Sequence, residues 1–261
     1  MRKSVAAWAF AGALLLTACA APSPSGDLAP DPAEAALLDD FRRVAYGSER
    51  PVLGTNGSAR PRRDHLAKWE EPIRAALIGT DRADYRAAAR RHLADLAALT
   101  GLAIGEAPAG RANLLIVFAE DPFAAARANR HRFAHRIADP ASFDALLARM
   151  EQSATCFGFL WGGWPSGQGI DFAAVFLRTD RGDRTVEGCL VQETTQVLGL
   201  MNDLDPGADS VFGDSGRYVA LTERDRLMLR LLYDPGLKPG MGWAEAEPLA
   251  RAAYRGLRQG S

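Results

Sequence analysis

Between residues 189 and 203 the apolar and polar positions repeat with a helical period. Leu190, Thr194, Val197 and Leu198 fall at i, i+4, i+7 and i+8 as a buried stripe, while Gln192 and Gln196 share another face one turn apart. Gly199 predicts the stop, because only glycine takes positive φ without a side-chain penalty. The same period recurs upstream. Leu37, Leu38, Phe41 and Val44 predict a helix over 34–45, ended by Gly47, and Tyr85, Ala88, Ala89, His92, Leu93, Leu96 and Leu99 predict one over 81–99, ended by Thr100-Gly101. Residues 122–150 read as mostly helical, rich in Arg and Ala.

Apolar runs without that period predict strands. One ends at Ile78 before Gly79, a second is the β-branched run at 113–118, and 157–164 and 169–177 form a hairpin or neighbouring pair joined through Pro165-Ser166-Gly167-Gln168. A packed core is the main use of the aromatics at 157–164, with ligand binding as the alternative. Residues 48–63 read as loop, and 179–184 as a turn into the central helix. The order helix, strand, helix, strand, helix, two strands, helix predicts an α+β domain with no internal repeat.

The ends change this picture. Met1-Arg2-Lys3 followed by an apolar run to Leu16 has the charged and hydrophobic regions of an export signal, too short to span a membrane, so residues 1–18 are expected to be removed. Leu16-Thr17-Ala18-Cys19 resembles the bacterial lipobox, in which Cys19 is lipidated and becomes the mature N-terminus. Residues 19–32, which include Pro22, Ser23, Pro24, Ser25, Gly26, Pro30 and Pro32, read as a flexible tether, and 33–261 as one domain. Ala20 in place of a retaining Asp points to the outer membrane of a diderm cell, facing the periplasm. Cys156 and Cys189 then remain, and in an oxidising compartment two cysteines of one domain most simply form a disulfide; two buried thiols are the alternative.

Composition is globular, with 48% hydrophobic and 24% charged residues over 261 positions and a formal net charge of −1, so nothing favours nucleic acid as a partner. His131 and His135 stand at i, i+4, yet four neighbouring arginines, Arg127, Arg130, Arg132 and Arg136, disfavour a cation there. An exposed basic helix is the expectation. His65 and His92 have no partner pattern. No Gly-x-Ser-x-Gly elbow and no Walker or dinucleotide glycine pattern appears.

The central helix has the spacing of the zinc-peptidase pattern HExxHxxGxxH, in which two His grip zinc, Glu is general base, and a turn at Gly returns a third ligand. The ligand positions here read Gln192, Gln196 and Asn202, and only Glu193 and Gly199 match. Neutral amides are poor zinc ligands, so no metal and no cofactor is expected. Further on, Ser210-Val211-Phe212, Leu221-Thr222-Glu223-Arg224-Asp225 and Leu231-Leu232-Tyr233 resemble the C-terminal half of metzincin-type zincins, with Phe212 at the turn Met position as an apolar floor. With Phe41 to Gly47, Lys68-Trp69, Pro72-Ile73, Leu99 to Leu102, Ala112-Asn113, Leu232 to Pro235 and Pro239-Gly240-Met241, the chain resembles a family of bacterial secreted and lipoprotein domains of unknown function related to zincins, over roughly 37–241.

That resemblance implies a zincin-like mixed sheet packed on helices around a degenerate active-site helix. The leading functional expectation is a lipid-anchored binding domain of the cell envelope, its site comprising Gln192, Glu193, Gln196, Asn202 and Asp203, its partners the membrane and an extended peptide or envelope protein. The alternative is an active hydrolase with Glu193 as base and unconventional ligands. Glu193, Asp203, Asp205 and Asp214 could supply oxygens to Ca²⁺ or Mg²⁺, ions that lower the pKa of bound water far less than zinc does.

Overall fold

A computed structural model describes residues 31–46, 52–53, 59–60, 65–137, 139–162, 169–213 and 217–259. The leader, Cys19, nearly all of the tether, most of the loop at 48–63, the 165–168 link and Asp214 lie outside the described residues.

Helix α1 is Pro32–Tyr46. Two short strands, β1 Val52–Leu53 and β2 Ala59–Arg60, pair antiparallel inside the stretch expected to be loop. There follow β3 Ile73–Gly79, α2 Ala83–Thr100, β4 Ile104–Glu106, β5 Leu114–Ala119, α3 Pro122–Asn129, α4 Pro140–Met150, β6 Phe157–Gly162 and β7 Ile170–Arg178. Helices α5 Asp183–Gln196, α6 Glu223–Leu232 and α7 Trp243–Gln259 complete the chain. A five-stranded sheet runs in the order β4-β3-β5-β7-β6, parallel except for β6, which pairs antiparallel with β7. The fold is α+β with a mixed sheet.

Covering the sheet on both sides explains why its central strands are nearly continuous apolar runs. Along β5 and β7, Leu114, Ile116, Phe118, Ala173, Val175 and Leu177 face one cluster with α1, α2, α5, α6 and α7. Leu115, Val117, Phe172, Ala174 and Phe176 face the other, with α3 and α4. That second layer is aromatic: Phe157 stacks on Phe176 with centroids 5.1 Å apart, and Phe133 lies 5.2 Å from Trp161. The 157–164 aromatics within the described residues thus serve mainly as core.

Two expectations are corrected, and two elements are added. The central helix begins at Asp183 and ends at Gln196, earlier at both ends than the periodicity implied, because Val197 already serves as its C-cap. His131 and His135 do not share an α-helix; they sit on two successive 3-10 turns, Arg130–Arg132 and Ala134–Arg136, and Arg127, Arg130 and Arg136 are paired with Glu151, Asp144 and Asp171. Strand β4 adds an element that periodicity does not signal, because only Ile104 of its three residues is large and apolar. Helix α7 adds another that the sequence analysis did not assign, although Ala246, Ala250 and Tyr254 are buried at helical spacing with Trp243 and Leu257 packed beside them, and Pro248 stands inside it.

Cys156 and Cys189 form a disulfide, with Cα atoms 6.0 Å apart and a sequence separation of 33. It ties the approach to β6 to the middle of α5. Closing a loop of that length contributes about 3–4 kcal/mol in the chain-entropy account.

Candidate functional site on the central helix

Helix α5 is buried at every position from Gly188 to Gln196, and it reaches that state with few large apolar side chains. Thr194 and Thr195 are fully buried and donate back to the Leu190 and Val191 carbonyls, a bond that lets a hydroxyl sit in a core without water. His92 of α2 lies with Nε2 3.3 Å from Thr195 Oγ1, and burial pushes its pKa down to about 4. The helix thereby carries hydrogen-bonded polar groups through the centre of the molecule.

The face bearing the metal-site spacing is also buried: Gln192 is 7% exposed, Glu193 5% and Gln196 8%. Gln192 Nε2 donates to Asp203 Oδ1 at 3.1 Å, and Gln196 Nε2 donates to the same oxygen at 2.8 Å. Two side chains at the zinc-ligand spacing therefore converge on a carboxylate through N–H donors, not on a cation through lone pairs. The residues present do not fit zinc. Asn202 is engaged elsewhere: its Nδ2 donates to the Arg43 carbonyl, and its backbone N–H to the Val44 carbonyl, both at 3.2 Å. Of the five expected binding residues, Gln192, Gln196 and Asp203 are joined by hydrogen bonds and Asn202 anchors the segment to α1.

Glu193 lies under the edge strand. A Cβ placed on Gly158 of β6 would stand 3.5 Å from Glu193 Oε2 and 2.9 Å from Val197 Cγ1, so the absence of a side chain there lets the strand and helix approach. Asp205 lies on the surface in a two-bond pair with Arg43, both at 2.7 Å, which holds its carboxyl below the usual range. Among the described residues no group of three or more His, Cys, Asp or Glu side chains is placed to hold a metal ion.

The C-terminal end of α5 is bound by residues from distant segments. Trp69 Nε1 donates to the Val197 carbonyl at 2.9 Å, Tyr233 Oη donates to the Leu198 carbonyl at 2.9 Å, and the Trp69 N–H donates to Tyr233 Oη at 3.2 Å. These bonds satisfy carbonyls that a helix end leaves without intrahelical partners. Lys68 Nζ donates to the Leu232 and Asp234 carbonyls, and burial lowers its pKa to about 8. At Gly199, φ is +125° and a Cβ would stand 2.1 Å from the Ala67 carbonyl oxygen. Gly199 thus permits a backbone crossing three residues beyond the helix and does not itself cap it.

Past the helix, two of the three C-terminal sequence pieces meet around one carboxylate. Asp225, fully buried, accepts from Ser210 Oγ at 2.6 Å, from the Val211 N–H at 3.2 Å and from the Thr222 N–H at 2.8 Å. Thr222 and Asp225 also form the capping box of α6. Phe212 is buried, and its carbonyl accepts from the Leu204 N–H at 2.8 Å, which returns the chain from the site segment to this turn. Reasoning from spacing missed Trp69, Tyr233 and Arg43 as site supports, because their bonds span 128, 35 and 159 residues and no local pattern signals them.

No curated protein matches the chain. A family model described as a protein of unknown function (DUF2927) matches residues 34–252, from the first turn of α1 into α7 and across the whole of the α5 site, and the chain belongs to that family.

Proposed function

We propose that this chain is a zincin-like, lipid-anchored domain of the bacterial cell envelope that binds an extended peptide and does not hydrolyse it through a metal. The observation that carries the reading is the convergence of Gln192 and Gln196 on Asp203, which turns the ligand face of a zincin-type helix into a closed hydrogen-bond network. The order of Glu193, Gly199 and the later Ser210 to Phe212 and Leu221 to Asp225 pieces supports the zincin relation. Strand β6 supports the peptide reading: it is antiparallel, lies against α5, and is paired by no strand on its outer side among the described residues. An edge of that kind takes an extended segment by backbone hydrogen bonding. Cys19 supports the anchor, and with it a place at the outer membrane facing the periplasm.

The test uses the mature protein with Cys19 replaced. Elemental analysis is expected to find zinc far below one per chain, and casein is expected to remain uncut by wild type and Glu193→Gln alike. Peptides selected from a displayed random library should slow amide exchange along β6. About one zinc per chain, lost in Glu193→Ala or Gln196→Ala, would overturn the non-metal reading, and selected peptides that leave β6 exchange unchanged would overturn the binding mode.

A further inference from the structure

On the face of the sheet opposite α5, the starts of β3, β5 and β7, the 3-10 turn Ala109–Arg111 and the two 3-10 turns after α3 line an open cavity of ≈ 570 Å³. Its wall carries four guanidinium groups, Arg74, Arg111, Arg132 and Arg136, against the single carboxylate of Asp171. In a chain of formal net charge −1 this is a concentrated excess of positive charge. His131 and His135 stand on the same wall, and Leu115 and Phe172 form an apolar part of it.

Three of these arginines are held in place by hydrogen bonds. Arg74 Nε donates to the Arg111 carbonyl at 3.0 Å, and the Arg74 backbone N–H donates to Asn113 Oδ1 at 2.6 Å. Arg132 Nε donates to Asn129 Oδ1 at 3.0 Å, and Arg136 Nη1 donates to Asp171 Oδ1 at 2.6 Å with its guanidinium 4.9 Å from the Phe172 ring centroid. Each of these side-chain bonds engages one of the five N–H donors of its guanidinium. Arg136 Nε is buried with no partner among the described residues. Guanidinium groups anchored through one nitrogen are pre-organised forks for a tetrahedral, multiply charged oxyanion.

We propose that this cavity binds a phosphoryl group, a phosphate monoester or diphosphate, carried by a small molecule or a lipid headgroup. Arg74, Arg111 and Arg132 supply the charge, Arg136 is positioned by Asp171, and the apolar wall takes the carrier. The volume is that of an ordinary small-molecule site. The two carriers share the same recognition chemistry and differ in how they reach it.

Calorimetry at about 0.15 M ionic strength, where unspecific surface attraction is largely screened, provides the test. Pyrophosphate and glucose 1-phosphate are the soluble probes, glucose and citrate the controls, and vesicles with and without phosphatidic acid the headgroup probe. Saturable binding of a soluble phosphate, or of phosphatidic acid vesicles alone, supports the proposal and identifies the carrier. Arg111→Ala and Arg132→Ala should each weaken it by about tenfold or more, with melting temperature unchanged, while Arg258→Ala on α7 leaves it intact. No saturable binding, equal binding of citrate, or equal weakening by Arg258→Ala would each overturn it.

Discussion

His92 is buried beside Thr195, where a protonated imidazole has no water to solvate it, so its pKa falls from an ordinary 6.5 to about 4. Between those values the unfolded chain binds a proton that the folded chain does not. Stability is therefore expected to fall as pH drops from 6.5 towards 4, by at most about 1.4 kcal/mol per pH unit. Urea midpoints measured across that range should show the decline in wild type and lose much of it in His92→Leu; identical slopes would assign the decline to other groups. Glu34, whose carboxyl is held below 4.5 first by its hydrogen bond from Arg255, adds its own loss only further into acid. At this scale the site was half legible. Periodicity put Gln192 and Gln196 on one face, because neighbouring turns fix that geometry locally. That both amides would donate to Asp203, and that Asn202 would turn to Arg43, depends on how the chain after α5 comes back, which local spacing does not encode.

For elements, the end of α5 shows how a helix terminus is held by residues far away in sequence. The indole of Trp69 is 1% exposed and gives its only N–H to the Val197 carbonyl. Trp69→Phe keeps most of the ring and leaves that buried carbonyl without its donor, so a loss of about 1–3 kcal/mol is expected from denaturant unfolding. A loss within error of zero would mean that the bond does not hold the terminus. The long amphipathic elements α1 and α2 and the β-branched run of β5 were readable from pattern alone, since one buried stripe or one apolar run suffices to define each. The sheet order was not, because β3 to β5 and β5 to β7 pairing joins segments separated by whole helices. Strand β4 was missed because only one of its three residues is large and apolar, whereas α7 was missed although Ala246, Ala250 and Tyr254 keep a helical period around Pro248.

At the scale of the molecule, the two ends of the described domain are locked together. Glu34 at the start of α1 is 3% exposed and is met by Arg251 at 2.6 Å and Arg255 at 3.0 Å from α7. The proposed anchor joins α1 through the tether, so the pull of the membrane would arrive at this junction. Cys19→Ser is expected to move the protein from the membrane fraction or leave an unprocessed precursor, because several acyl chains at about 0.8 kcal/mol per buried methylene would otherwise hold it. Unchanged processing and fractionation would remove the anchor from the proposal. Gly199 has a further consequence at this scale. Its φ of +125°, and the 2.1 Å that would separate a Cβ there from the Ala67 carbonyl oxygen, exclude the other nineteen amino acids by backbone alone, whatever the neighbouring side chains do. A chain that keeps this crossing has one spelling at that position, whatever residues stand at 192, 193, 196 and 202.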